Sequence, residues 1–490
     1  MHHFELKDPS LLCSATLGPA AVGSEDQIQI EDPATGNVFA SCKDSNVGDV
    51  DVVVQAAYDA FRKYRVETPR SRAKKLLAWH NLIQENRDDL ARTLTYETGK
   101  PLKEAYGEIE YASGFTWWFA GEAERVSGSL SLPAAPDRRV LVVKQPIGVC
   151  AALVPWNFPV AMILRKVGAA LAAGCTIIAK PSPETPLTCL ILATLAQRAG
   201  FAPGVFSVIT TSMRNTPEVS EALCKHSLVS KVSFTGSTAI GSLIAKHCSE
   251  GLKKVTLELG GNCPFIVFDD CDQEQALEQL LSLKWRHAGQ ACVTANRVYV
   301  QDTIYAKFVE NIVKRTREIK LGHGLEADTT MGPVTTARGV QKAQAFVDDA
   351  VHKGAQIMTG GSQPQLDGHF FEATVLSNVD PSMLISQEEV FAPVMGVSSF
   401  SHEQEVLDLA NDTSMGLASY CFTNDINRIW RMMDGLEAGM IGINTGNSSA
   451  AESPFGGMKQ SGYGKESGKD VAIEEYLVAK TITLTIKKDM

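Results

Sequence analysis

Val149-Cys150-Ala151-Ala152-Leu153-Val154 is an unbroken apolar run that opens into Pro155-Trp156-Asn157-Phe158-Pro159 and continues as a helical segment from Val160 to Ala173. The run reads as a strand, the pentapeptide as a connection and the next segment as a helix. The alternation then repeats. Strands are expected at Thr176–Lys180, Val205–Thr210, Lys231–Phe234 and Val255–Leu259, and helices at Leu187–Ala199, Pro217–Lys225 and Thr238–Ser249. Repeated β-α units with short connections predict a parallel, doubly wound sheet of the dinucleotide-binding type.

Outward from this block, Val52 to Tyr111 carries helical spacing, with an amphipathic stretch from Arg70 to Glu97 that stops at Thr98-Gly99-Lys100-Pro101. Arg139 to Ala152 is rich in Val and Ile and reads as strands. A second alternating run from Phe265 to about Gly442 predicts another α/β unit, and Leu477–Ile486 reads as a last strand. A chain of 490 residues exceeds the size at which one core stops growing, so two large domains are expected.

The formal charge of −10 is spread along the chain without long runs, which argues against nucleic-acid or anionic-membrane partners. No stretch reaches the roughly 20 apolar residues of a membrane span. Met1 to Cys13 shows neither a secretory nor an Arg-rich transit pattern, so a cytoplasmic protein is expected. The 11 cysteines form no CxxC pair and the histidines no HExxH, so no metal is expected.

Three segments invite chemistry. Ser233-Phe234-Thr235-Gly236-Ser237-Thr238-Ala239-Ile240-Gly241 places glycines between a strand and a helix. There the free N–H groups of a helix start can hold a phosphate, although such a glycine also serves a plain turn. Glu258 lies inside the apolar strand Val255-Thr256-Leu257-Glu258-Leu259. It is either a carboxylate bonded to nearby backbone or a base with a raised pKa. Cys292, in Gly289-Gln290-Ala291-Cys292-Val293, is by itself either a buried core thiol or a nucleophile.

The order and separation of these segments resemble the aldehyde dehydrogenase superfamily from about Glu31 to Ile486. The further matching motifs are Pro155–Pro159, Glu388-Glu389-Val390-Phe391 and Ser453-Pro454-Phe455-Gly456-Gly457. The resemblance implies an α/β fold with a Rossmann-type cofactor domain (1–125 and 145–260), an α/β catalytic domain (261–469) and a small β oligomerisation element (126–144 and 470–490). It implies Cys292 as nucleophile, Glu258 as base, and Asn157 with the Cys292 backbone N–H as oxyanion donors. For the cofactor, NADP or NAD, it implies Lys180 at the adenosine ribose, with Trp156 on the adenine side. Gly236 and Ser237 fall beside the pyrophosphate, Glu389 at the nicotinamide ribose and Phe391 at the nicotinamide end. A homotetramer or homodimer acting on a small aldehyde is implied as well.

Two departures from the family pattern matter. Ala392 replaces the glycine that usually follows Phe391, and Pro183 replaces an acid that often binds the ribose diol, with Glu184 displaced by one. Loss of that acid predicts good use of NADP, with Lys180 and Ser182 free to attract a 2′-phosphate. Thr294 stands where some relatives carry a second cysteine able to form a disulfide with the nucleophile, and neither Cys263 nor Cys271 is placed by sequence to substitute for it.

Within the family the phrases around Leu171–Cys175, Leu228–Ser237 and Met458–Gly462 are most similar to the succinate-semialdehyde dehydrogenase branch. That resemblance implies a carboxylate clamp of Arg165, Arg286 and Ser449. Phe158, Met162 and Arg165 share one helical face. The segment Asn447-Ser448-Ser449 is more polar than usual there, which leaves room for a different acid. The alternative is a neutral aliphatic or aromatic aldehyde, with the two arginines in structural ion pairs.

Overall fold

Asn46 accepts the Gly48 N–H at 2.8 Å while Asp49 accepts the Asn46 N–H at 3.0 Å, a reciprocal cap that starts the first long helix, Val47–Tyr64. The computed structural model describes residues 3–13, 15–17, 26–468 and 471–486. The expected amphipathic stretch from Arg70 to Glu97 is two helices, Pro69–Glu85 and Arg87–Thr98. They break at Asn86, whose side chain donates to the Leu82 carbonyl and caps the first of them. Gly99 stops the second in a left-handed conformation, φ 80°, where a Cβ would lie 2.5 Å from Pro333. A further helix, α1 (Leu102–Ala123), runs well past Tyr111, where the sequence pattern fades.

The alternating block forms a six-stranded sheet. Its strands are β1 (Val149–Leu153), β2 (Thr176–Lys180), β3 (Phe206–Val208), β4 (Val229–Thr235) and β5 (Lys254–Glu258), with Gly462–Tyr463 at one edge. The order is β3-β2-β1-β4-β5, all parallel, and Gly462–Tyr463 joins β5 antiparallel. The strand order therefore reverses between β1 and β4, where an open α/β sheet leaves its ligand crevice beyond the carboxyl ends. Helices α2 (Pro159–Ala173) and α3 (Thr238–Ser249) begin at that crevice. Every residue of α2 is buried, packed between β1 and α1, which explains its nearly all-apolar sequence.

A second sheet holds seven strands in the spatial order Gln356–Thr359, Thr374–Ser377, Val394–Phe400, Arg297–Gln301, Pro264–Val267, Ala418–Phe422 and Met440–Ile443. All pairs are parallel except the first. Helix α4 (Gln273–Trp285) packs on this sheet and delivers the turn that precedes Cys292. Arg138–Pro146 pairs with Leu477–Thr485 on one side and Ser129–Ser131 on the other in a small, solvent-facing sheet. Of the expected oligomerisation element, residues 470 and 487–490 lie outside the described residues, as do 1–2, 14, 18–25 and 469 elsewhere. Among the described residues no helix is long and apolar enough to cross a membrane, and no group of three or more His, Cys, Asp or Glu could hold a metal.

Candidate active site

The first sheet's carboxyl ends and the turn after α4 meet around Cys292. That turn, Arg286–Gly289, is strained: His287 and Ala288 both sit at φ 51° and Gly289 at φ 73°. At Gly289 a Cβ would approach the Ala392 carbonyl to 2.4 Å, so this position requires glycine. Gln290 fastens the turn by donating to the His287 carbonyl and accepting the Thr335 N–H, each at 2.9 Å. Asn157, on the connection after β1, donates its side-chain amide to the Gln290 carbonyl at 2.9 Å. The two expected oxyanion donors are thus tied to one another across the single residue Ala291.

Burial pushes the Cys292 thiol up to about 12, with the Glu389 and Glu258 carboxyls adding to it and Arg165 opposing. Glu258 ends β5 and both its oxygens are buried without a hydrogen-bond partner. Burial first, then Glu466, raises it well above the usual carboxylate range. Glu466 itself is held as a carboxylate, against its burial, by Lys166 and Arg165. Lys166 binds it directly and donates to Ser233 and Thr235 as well. Neither Lys166 nor Glu466 was singled out by sequence, and no motif signals their pairing.

On one side of Cys292 lies a cavity of about 460 Å³ whose wall includes Phe158, Met162, Arg165, Arg286, Ser449 and Cys292. The expected helical face and the three clamp residues are therefore brought together. Arg165 is fully buried between the Phe455 ring, 4.0 Å away, and that of Phe115, 5.3 Å away, and its Nε and Nη1 have no hydrogen-bond partner. Its nearest anion is Glu466, at 4.0 Å. Arg286 lies 5.2 Å over the Phe158 ring, with no ion pair among the described residues. Tyr111 of α1 hydrogen-bonds the Ser449 hydroxyl. Tyr111 and Phe455 were missed as wall residues, although Phe455 lies inside a motif the sequence offered.

On the other side is the crevice of the first sheet. Ser237 caps α3 through the Ile240 N–H, and a Cβ on Gly236 would sit 2.5 Å from the Phe234 ring. Glu389 turns inward and accepts the Gly261 N–H at 3.1 Å, and burial pushes it up to about 7. A Cβ on Gly260 would lie 3.0 Å from its carboxylate. Phe391 carries the positive φ of its loop, 53°, so Ala392 is spared one and fits, fully buried. Trp156, expected on the adenine side, stands edge-on to Phe391 at 5.5 Å and to His287 at 5.9 Å. Lys180 ends β2 with its ammonium buried and bonded to the Pro181 carbonyl at 3.1 Å. Burial lowers it to about 8, with Glu184 opposing. Ser182 hydrogen-bonds Glu184, so the two groups expected to attract a 2′-phosphate face a carboxylate instead. The glycine cradle, the capped helix start and the sparsely partnered Lys180 fit a dinucleotide.

One further contact involves a second cysteine. The Cys263 thiol donates to the Cys292 carbonyl at 3.4 Å, so a second buried cysteine does adjoin the nucleophile's backbone.

A sequence model of the aldehyde dehydrogenase family matches residues 21–482. The chain belongs to that family. It is an NAD(P)-dependent aldehyde dehydrogenase. It is 46% identical to a 3-sulfolactaldehyde dehydrogenase of Pseudomonas putida, over 98% of this chain and 99% of that one. A glutarate-semialdehyde dehydrogenase of Pseudomonas aeruginosa is 47% identical over 93% and 94% of the two chains. The crystal structure of succinate-semialdehyde dehydrogenase from Burkholderia pseudomallei superposes with a TM-score of 0.94 at 43% identity, covering 99% of this aldehyde dehydrogenase and all of that chain.

Proposed function

We propose that this aldehyde dehydrogenase oxidises a short aldehyde bearing an acid group at its far end, succinate semialdehyde foremost, through a thioester on Cys292. The observation that carries the reading is Arg165, a buried guanidinium on the wall of the Cys292 cavity with two donor nitrogens unpartnered. Its one ion-pair contact, Glu466 at 4.0 Å, is bound more closely by Lys166, so the guanidinium still has hydrogen bonds to give. An acid group answers that need, because its oxygens match the planar fork of an arginine. Arg286 and the Ser449 hydroxyl, on the same wall, complete the clamp.

The Cys292 thiol releases its proton to solvent, and the thiolate sulfur adds to the aldehyde carbon to form a tetrahedral thiohemiacetal. Its oxyanion accepts from the Cys292 N–H and from Asn157. One hydrogen of the Asn157 amide is held by the Gln290 carbonyl, which aims the other. The nicotinamide, when bound, takes up the hydride expelled as that adduct becomes a thioester. Glu258 then withdraws the proton of the water that hydrolyses the thioester. Its raised pKa makes the base form grow as pH rises. Lys180 and Ser182 would hold the adenosine ribose, Gly236 and Ser237 the pyrophosphate, and Glu389 the nicotinamide ribose. Trp156 and Phe391 would form an aromatic wall between the crevice and the turn that carries Cys292.

The test is a panel of succinate semialdehyde, glutarate semialdehyde, 3-sulfolactaldehyde and butanal assayed with NAD and NADP in parallel. The acids are expected to exceed butanal in kcat/KM, succinate semialdehyde most. A higher value for butanal than for every acid would replace this reading with the neutral-aldehyde one.

A further inference from the structure

Two acids line the cavity beside the arginines, Glu108 and Glu104. Glu108 is committed: it binds Lys100 and accepts the Val160 and Ala161 N–H groups at the start of α2. Glu104, in the first turn of α1 and half-buried, accepts only the His287 N–H, at 2.8 Å, from the strained turn that begins with Arg286.

We propose that Glu104 sets the affinity of this cavity for acidic aldehydes, its carboxylate competing with the substrate's anionic end for Arg286. The proposal rests on the acid-aldehyde reading above and adds to it a residue that tunes the clamp.

The charged groups facing Glu104 are few. From its own side come Lys100, bound to Glu108 and to the Asn157 carbonyl, and Glu108 itself. From the facing turn come Arg286 and His287, and the imidazole is kept neutral by burial and by the charges of Lys100 and Arg286. The segment 446–449 contributes no charge. Burial pushes Glu104 up to about 7, while the His287 N–H, Lys100 and Arg286 pull it back. A raised carboxyl stays protonated to near neutrality and gains its charge as pH rises. At lower pH the substrate anion meets Arg286 without the charge of Glu104 beside it. At higher pH it meets a cavity already half neutralised, and its binding weakens.

The experiment measures the ratio of kcat/KM for succinate semialdehyde to that for butanal, with saturating NAD, from about pH 6 to about pH 8.5. Neither substrate titrates there, and any pH effect on Cys292 or Glu258 divides out. The ratio is expected to fall by about threefold or more as pH rises, through the KM of the acid. Glu104→Gln retains an acceptor for the His287 N–H and removes the charge. It is expected to keep the ratio high and level across the range. A ratio well above one but level with pH in the native enzyme overturns the role of Glu104 and leaves the acid reading intact. So does a Glu104→Gln ratio that still falls as the native one does. A ratio near one at every pH overturns the acid reading and this inference with it.

Discussion

At the scale of single residues, burial raises the pKa values of the proposed nucleophile and base above their free ones. Cys292 is protonated at rest because burial and two nearby carboxyls outweigh Arg165. The Glu258 carboxyl is pushed well above the usual range because it is buried beside Glu466 without a hydrogen bond of its own. The two groups are therefore expected to fail differently on substitution. Cys292→Ala abolishes oxidation and leaves NADH binding, read by fluorescence, close to native. Glu258→Gln retains a stopped-flow burst of reduced cofactor followed by slow turnover, because acylation outlasts the loss of the hydrolytic base. Absence of that burst would put the main role of Glu258 at acylation. Cys292, Glu258 and Asn157 were legible in the sequence through the spacing of their motifs. Lys166 and Glu466 were not, because 300 residues separate them and their contact exists only in the fold.

At the scale of elements, the crevice is built by strand ends and helix starts, and two substitutions probe it. Glu108 ties α1 to the start of α2 and, through Lys100, to the Asn157 carbonyl at 2.8 Å. Removing its charge leaves a buried ammonium unpaired. Glu108→Gln is expected to cost about 3 kcal/mol or more, seen as a lower Tm of the intact enzyme, with kcat reduced because Asn157 loosens. A native Tm would show that the pair is dispensable. In the loop after β2, the displaced Glu184 has swung back onto Ser182 beside Lys180. The sequence, read by position, suggested a loop open to a 2′-phosphate; the side chain reaches back one residue and changes that. Glu184→Ala is expected to raise the NADP-to-NAD ratio of kcat/KM about tenfold, a gap of roughly 1.4 kcal/mol. An unchanged ratio would mean that Glu184 does not meet the cofactor. Periodicity placed several elements closely: β1, β2, α2 and α3 fall within a residue of their expected limits. It failed at Asn86 and beyond Tyr111, where nothing in the apolar pattern distinguishes a helix joint from a continuing helix.

At the scale of the whole molecule, the small sheet of Ser129–Ser131, Arg138–Pro146 and Leu477–Thr485 exposes Leu130, Leu132, Ile482 and Leu484 to solvent. Apolar side chains clustered on one sheet face favour burial against another subunit. Ile482→Lys with Leu484→Lys is expected to reduce the mass found by light scattering to that of a smaller assembly. No change in mass would exclude this face from the subunit contact. The two large sheets were both foreseen from the alternation of strands and helices, but the return of Gly462–Tyr463 to the edge of the first sheet was not, since a two-residue strand leaves no periodic trace. The whole arrangement converges on one cavity walled by Cys292 and by the guanidinium groups of Arg165 and Arg286. The measurement that tests this most directly is kcat/KM for succinate semialdehyde and for butanal, in the native enzyme and in Arg286→Ala. A charge-assisted hydrogen bond contributes roughly 1.5–3 kcal/mol, so the native enzyme is expected to prefer the acid by at least about tenfold. Arg286→Ala is expected to lose most of that preference through KM, because the distal acid group binds alike in the ground and transition states. Equal values for the two aldehydes in the native enzyme, or an equal loss for both in Arg286→Ala, would contradict the clamp.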